Sequence, residues 1–203
     1  MKRLYRASVP LNPLARSFYE RDTVRVAKEL LSKVLVRRIG STVLEGIIVE
    51  TEAYGGENDP ASHAYRGPTR RNRVMYGPPG HAYVYFTYGM HYCLNVKTEP
   101  TGQPGAVLMR AAQPIRGIER MKKERRTERI KDLANGPAKL AQAFIVTKAL
   151  NGHDLTVGRK LFIVETTNPE PLDIASTSRI GIRVGLEKTW RFFIKGNRFV
   201  SKQ

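Results

Sequence analysis

The sequence contains a single cysteine, Cys93, so an internal disulfide framework is excluded and a reducing compartment is the expected setting. No window approaches the ~20 consecutive apolar residues of a membrane span. The N-terminal segment MKRLYRASVPLNPLARSFYE starts basic but has no continuous apolar stretch, which argues against a secretory signal. His63, His81, His91 and His153 show no zinc-ligand spacing, and there is no Cys-x-x-Cys pair. The His-x-Glu and Pro-Cys-x-x-Cys pattern of nucleic-acid deaminases is missing, and so is a Gly-x4-Gly-Lys-Ser/Thr phosphate loop. The expectation is therefore no metal, no cofactor and no membrane partner. A compact chain without targeting segments reads as a cytoplasmic monomer, nucleoid-associated in a bacterium.

Acidic residues are also scarce. Asp and Glu total 18 against 35 Lys and Arg, a formal charge of +17. Self-repulsion of that size opposes compaction, and a polyanionic partner is its first explanation. The other figures are ordinary for a globular protein: 203 residues, 41% apolar and 26% charged. That length suits one domain with its own core, and no internal repeat or low-complexity linker divides it.

Hydrophobic period places the elements. Asp22 or Thr23 caps a helix running to about Lys33, with Val24, Ala27, Leu30, Leu31 and Val34 in one stripe. Residues 34–39 and 42–53 read as strands around Gly40-Ser41, and 81–86 and 91–96 as a second hairpin. A charged helix is expected between Pro114 and Leu133, and another from Asn135-Gly136-Pro137 towards Asn151-Gly152, with Asn135 as its cap. Residues 160–165 and 190–195 are late strands. Strands in hairpins, not alternating with helices, indicate an α+β fold.

Within the second strand, period two puts Glu50, Glu52 and Tyr54 on one face and Val49, Thr51 and Ala53 on the other. Such a face is either wet or lines a site. From Pro60 to Thr98 there is no acidic residue, while Arg66, Arg70, Arg71, Arg73 and Lys97 are basic. RGPTRRNRVMYGPPG is too rich in Gly and Pro for a helix, and arginines on a loop suit phosphate contacts because the guanidinium fork grips one anion twice. Tyrosines interleave with that charge. Bases stack on such rings at about 1–3 kcal/mol each. Several must fill the core, but Tyr88 falls beside Gly89 at the expected hairpin tip, where a ring could wedge into a base stack.

The run IVETEAYGGENDPASHAYRGPTRRNRVMYGPPGHAYVYFTYGMHYCLNV, followed by AVLMRAAQP, NGPAKLAQAF and, more loosely, SRIGIRVG to WRFFIKGN, resembles the alkyladenine (3-methyladenine) DNA glycosylase family. The resemblance implies a single mixed α/β domain with a curved antiparallel sheet, flanking helices and a protruding, DNA-intercalating β-hairpin. It implies excision of alkylated or deaminated purines from double-stranded DNA after the damaged nucleotide is flipped into a pocket. Glu52 matches the family's general base. Tyr54, His63 and Tyr85 match the base pocket, Asn95 the residue that obstructs the guanine 2-amino group, and Arg110 and Ile182 positions beside it. Tyr88 matches the intercalating residue. Met90, Lys139, Arg183 and the loop arginines fall at expected DNA contacts. Arg183 departs from the family pattern, which has glycine there.

Chemistry agrees with this implication. One carboxylate beneath C1′ stabilises the positive charge that develops on the sugar and takes a proton from the attacking water. Glu50 is left a structural or supporting role. Two alternatives stay open: a carbohydrate hydrolase using Glu50 and Glu52 as a pair, and a non-catalytic nucleic-acid-binding protein with a stacking platform. Neutral sugars would give the basic loop no purpose, and a stacking platform would give Glu52 none.

Overall fold

The computed structural model describes residues 12–87, 89–166 and 171–202. An eight-stranded sheet carries the molecule, with β1 (Val34–Ile39), β2 (Thr42–Tyr54), β3 (Ala82–Thr87), β4 (His91–Lys97), β5 (Ala106–Arg116), β6 (Leu161–Val164), β7 (Ile174–Thr177) and β8 (Arg191–Ile194). Its main path is β3-β4-β5-β2-β1-β6, with β8 joining β2 to β7, and every strand pairing is antiparallel. Among the described residues four short α-helices accompany it: α1 (Arg16–Tyr19), α2 (Thr23–Glu29), α3 (Ile118–Arg125) and α4 (Pro137–Ala143). The result is a single α+β domain with a curled antiparallel sheet. Among the described residues no helix is long and apolar enough to cross a membrane.

The sheet's two faces do different work. Val84, Leu94, Val96, Val107 and Met109 point to the helix side, where they join Val26, Ala27 and Leu30 near α2 and Leu140, Ala141 and Phe144 of α4 in the main core. The residues between them, Tyr83, Tyr85, Cys93, Asn95, Leu108 and Arg110, face a cavity on the other side. Period two along three neighbouring strands thus separates core from site. Close packing fixes α4 against β2: at Gly46 a Cβ would lie 2.9 Å from Phe144 Cζ.

β2 is the organising strand. Along one edge it pairs with β5 almost throughout, and along the other it changes partner, from β1 at Thr42–Ile47 to β8 at Glu50–Glu52. Register shifts around Ile48–Thr51 accompany the change. Bulges of this kind bend a strand and re-aim its side chains. They also correct the expected facing of Val49, which packs with Ala111, Phe193 and Phe199 in a separate cluster, whereas Ala53 does join the main core.

Most elements lie where period and turn chemistry put them; the differences are local. Pro114–Arg116 end β5 and do not begin a helix, since Pro114 sits in the ladder opposite Gly46. The charged helix is short and closes at Arg126, whose φ is 50°. Asn135 is not the cap of α4. Gly136 holds that position, and the Asn135 side chain instead accepts from Lys139 Nζ at 2.8 Å. α4 stops at Ala143, far short of Asn151.

Candidate active site

The cavity holds about 260 Å³, slightly below the ~300–1,000 Å³ of typical drug-sized ligand sites and suited to one heterocyclic base. Its wall is aromatic on one side. The His63 ring stands 4.6 Å from Tyr85, edge-on at 76°, and Tyr83 lies 5.4 Å from Tyr85. His63 Nδ1 and the Tyr83 hydroxyl share a hydrogen bond of 2.8 Å. Desolvation of the ring and then the nearby Arg71 push His63 down to about 4, so it is neutral at physiological pH. Burial pushes Tyr83 up to about 12 and Tyr85 higher still, which keeps both phenols protonated. Asn95 lies beside Tyr83, its partner across the β3–β4 ladder, with its Nδ2 donating to the Tyr83 carbonyl at 3.0 Å.

Beneath this wall lies Glu52, without solvent exposure. Its carboxylate is not itself part of the lining; the groups that hold it are. Tyr54 Oη donates to Oε2 at 2.8 Å, the Ile180 N–H donates to Oε1 at 2.7 Å, and Arg110 Nη1 stands 3.3 Å from Oε2. Burial pushes the carboxyl above its ordinary range, against the pull of Arg110, the Ile180 N–H and the Tyr54 hydroxyl. The Tyr54 phenol, raised by burial and by Glu52, stays a donor. On that face of β2 Tyr54 reaches the cavity surface, while Glu50 and Glu52 lie buried directly behind the floor, paired with arginine.

Two loops complete the cavity, and one buried ion pair ties them. Arg179 donates to both Asp59 oxygens at 2.6 and 2.7 Å and to the Ala53 carbonyl at 2.9 Å. Its guanidinium also stacks on Tyr54 and Trp190 at 4.7 and 5.4 Å from the ring centroids. Asp59 in turn accepts from the backbone N–H groups of Gly55 and Ala61. The segment bearing His63 and the segment bearing Ile180 and Ile182 are thereby fixed to the end of β2.

A family model for methylpurine-DNA glycosylase matches residues 17–198. A protein of Carboxydothermus hydrogenoformans, provisionally named 3-methyladenine DNA glycosylase, is 53% identical over 190 residues, covering 94% of this chain and 99% of its own. Relatives with the same provisional name in Burkholderia lata and Methanocella arvoryzae are 48% and 46% identical, covering 93% and 94% of this chain and 90% and 96% of theirs. The chain belongs to the methylpurine-DNA glycosylase family.

Against that identity, the residues singled out in the sequence divide into groups. Tyr54, His63, Tyr85, Asn95, Arg110 and Ile182 line one cavity, and Glu52 touches two of them from behind. Arg71 reaches the mouth, 5.2 Å over the Tyr85 ring and donating to the Phe86 carbonyl at 3.3 Å. Arg66, Arg70 and Arg73 are exposed and make no described ion pair, and Arg183 is exposed next to Ile182. Met90, 69% exposed, sits in the turn between β3 and β4. Lys139 lies apart from the lining, held by Asn135. Tyr88 lies outside the described residues.

Several site groups are not evident in the sequence. Leu108 and Ala106 line the cavity with Arg110, and the alternation along AVLMR is the signal that could have found both. Cys93, which is buried, also stands in the wall beside Tyr85, its partner across the β3–β4 ladder. Asp59 with Arg179, and the Ile180 N–H, leave no local signal because their partners are more than a hundred residues away.

Proposed function

We propose that the protein is a monofunctional DNA glycosylase of base excision repair, which flips damaged purines from duplex DNA into the cavity and hydrolyses the N-glycosidic bond. One observation carries the reading: a buried carboxylate, Glu52, is held by three groups that form the floor of a base-sized aromatic cavity. With a flipped purine between His63, Tyr85 and Asn95, its sugar lies towards that floor. Glu52 then stabilises the charge that develops at C1′ and accepts a proton from the attacking water. The pre-aimed donors cost no reorganisation at that moment. The product is an abasic site and a free base.

The substrates are alkylated or deaminated purines: 3-methyladenine, 7-methylguanine, hypoxanthine and ethenoadenine. The N-alkylated bases are cationic leaving groups, and tyrosine faces favour a cation. A neutral His63 suits this pocket, because a charged imidazole would repel such a base. Asn95 crowds the cavity where an undamaged guanine would place its 2-amino group. Tyr88 is the intercalating residue that fills the vacated stack, with Met90 beside it, and Arg66, Arg70, Arg71, Arg73 and Arg183 take phosphates. Among the described residues no lysine lines the cavity to form an imine at C1′, and the backbone stays intact.

The test is release of base from duplexes carrying each lesion, followed by alkali treatment. Strand breaks that appear only after alkali support the reading. Breaks before alkali, or a borohydride-trapped adduct, would show a lyase, and no release from any lesion would reject the enzyme in favour of a binding protein.

A further inference from the structure

Glu50 has no part in the chemistry above, yet it is among the most constrained side chains in the molecule. It has no solvent exposure. Oε1 accepts from Arg110 Nε at 3.0 Å, Arg191 Nε at 2.7 Å and Ser201 Oγ at 2.9 Å, and Oε2 accepts from the Ser201 N–H at 2.7 Å. The same Arg110 reaches Glu52 with its other end, Nη1 to Oε2 at 3.3 Å. One guanidinium therefore bridges two carboxylates two residues apart on β2. Arg191, which stands opposite Glu52 in the β2–β8 ladder, is itself fixed by donating to Thr177 Oγ1 at 3.0 Å and to the Lys202 carbonyl.

The charges behind the cavity balance. Glu50, Glu52 and Asp59 are matched by Arg110, Arg179 and Arg191, all of them buried. Buried ion pairs are weak devices for stability, since well-packed apolar residues do as well or better. A cluster of this kind directly behind the cavity floor therefore calls for another use. We propose that Glu50 is a positioning residue: clamped by Arg191 and Ser201, it fixes where Arg110 stands and how much of that cation's charge is left for Glu52. The inference deepens the assignment of Glu52 as the reacting carboxylate and rests on it.

The groups facing Glu52 define the signs. They are Glu50 and Tyr54 from β2, Cys93 from β4, Arg110 from β5, Arg191 from β8, and Arg179 with the Ile180 N–H from the loop after β7. Glu50→Gln removes a negative charge and releases Arg110 from it, so Glu52 holds its proton less tightly. Arg191→Gln removes one of the two cations paired with Glu50 and leaves Arg110 with the neutral Ser201 donors, so Glu52 holds its proton more tightly. The double variant restores neutrality and returns Glu52 towards the parent state.

The test uses the full chain labelled with ¹³C-carboxyl glutamate, the Glu52 resonance being identified by its loss in Glu52→Gln. The midpoint of Glu52 titration should fall by about one pH unit in Glu50→Gln, rise by a similar amount in Arg191→Gln, and lie near the parent in the double variant. The acid limb of single-turnover 7-methylguanine release should move with it. Midpoints unmoved in the single variants, with only melting temperature lowered, would reduce Glu50 to a structural prop and overturn the proposal. If one single variant does not fold, the sign of the other decides. If neither folds, a displaced midpoint in the double variant overturns the proposal and a parental midpoint supports it. A parent protein that releases no base defeats the glycosylase reading, whereas the NMR titration needs no substrate and still tests the charge relay.

Discussion

At the scale of single residues, the site gives up stability for chemistry. Glu52 is buried, and burial dominates the forces on its carboxyl, raising it despite Arg110 and two hydrogen-bond donors. A raised carboxyl binds its proton more tightly in the folded chain than in the unfolded one. Its contribution to stability is therefore fullest below the ordinary carboxylate range and is lost as pH rises through the raised folded value. The neutral amide introduced by Glu52→Gln mimics the protonated side chain and escapes that loss. We expect Glu52→Gln to be more stable than the parent at neutral pH, with the difference vanishing in acid; denaturant midpoints measured across pH check this. A variant less stable at neutral pH would mean that Arg110 outweighs burial.

Residue chemistry is legible in the sequence where neighbours are close in the chain. Glu52 and Tyr54 share a face because they are two apart on one strand, and their 2.8 Å hydrogen bond follows from that spacing. The same rule puts Tyr83 and Tyr85 together, and they do stand together in the wall. Local spacing cannot say what lies across from that face. A wet face, a cavity lining and a layer sealed by arginines all need the same pattern on β2, and Arg110 and Arg191 come from two other strands.

At the scale of elements, long-range ties decide the site's shape. The two hairpins are legible, because Gly40-Ser41 and the segment at Gly89 each separate strongly β-forming runs. β5 shows its alternation only along AVLMR at its start; its far end is hidden, since Pro114 and the charged run beyond it mimic a helix. β7 is short and half-exposed, which leaves it little pattern to read. The Asp59–Arg179 pair is the element-scale device with the clearest consequence. Asp59→Asn leaves the Arg179 guanidinium buried without its counter-charge, at a cost of about 3–5 kcal/mol. Thermal unfolding should shift down by on the order of 10 °C, with base release falling because both cavity loops loosen. A shift within a degree or two would show that the pair is not what fixes the loops.

For the whole molecule, the excess of 17 positive charges is distributed unevenly. The arginines buried behind the cavity floor are paired, whereas Arg66, Arg70 and Arg73, in the segment after His63, are exposed and make no described ion pair. That division, already visible as an acid-free stretch of sequence, separates chemistry from electrostatic attachment. With Arg71, Arg183 and these three arginines each neutralising one phosphate, log K for duplex binding should fall with log salt at a slope of about −4 to −5. Arg70→Gln/Arg73→Gln should reduce the slope by about 2 and leave single-turnover release at saturating protein nearly unchanged. A slope unaltered by the double substitution would place the DNA on another surface.

The account stands or falls on Glu52 as the group that attacks through water. The direct measurement is single-turnover release of 3-methyladenine and hypoxanthine from duplex DNA by the parent and by Glu52→Gln, with duplex affinity measured alongside. The account predicts unimpaired binding and a loss of about 10²–10⁴ in rate, the usual worth of a positioned general base. Release by Glu52→Gln at the parental rate, with binding intact, would contradict it.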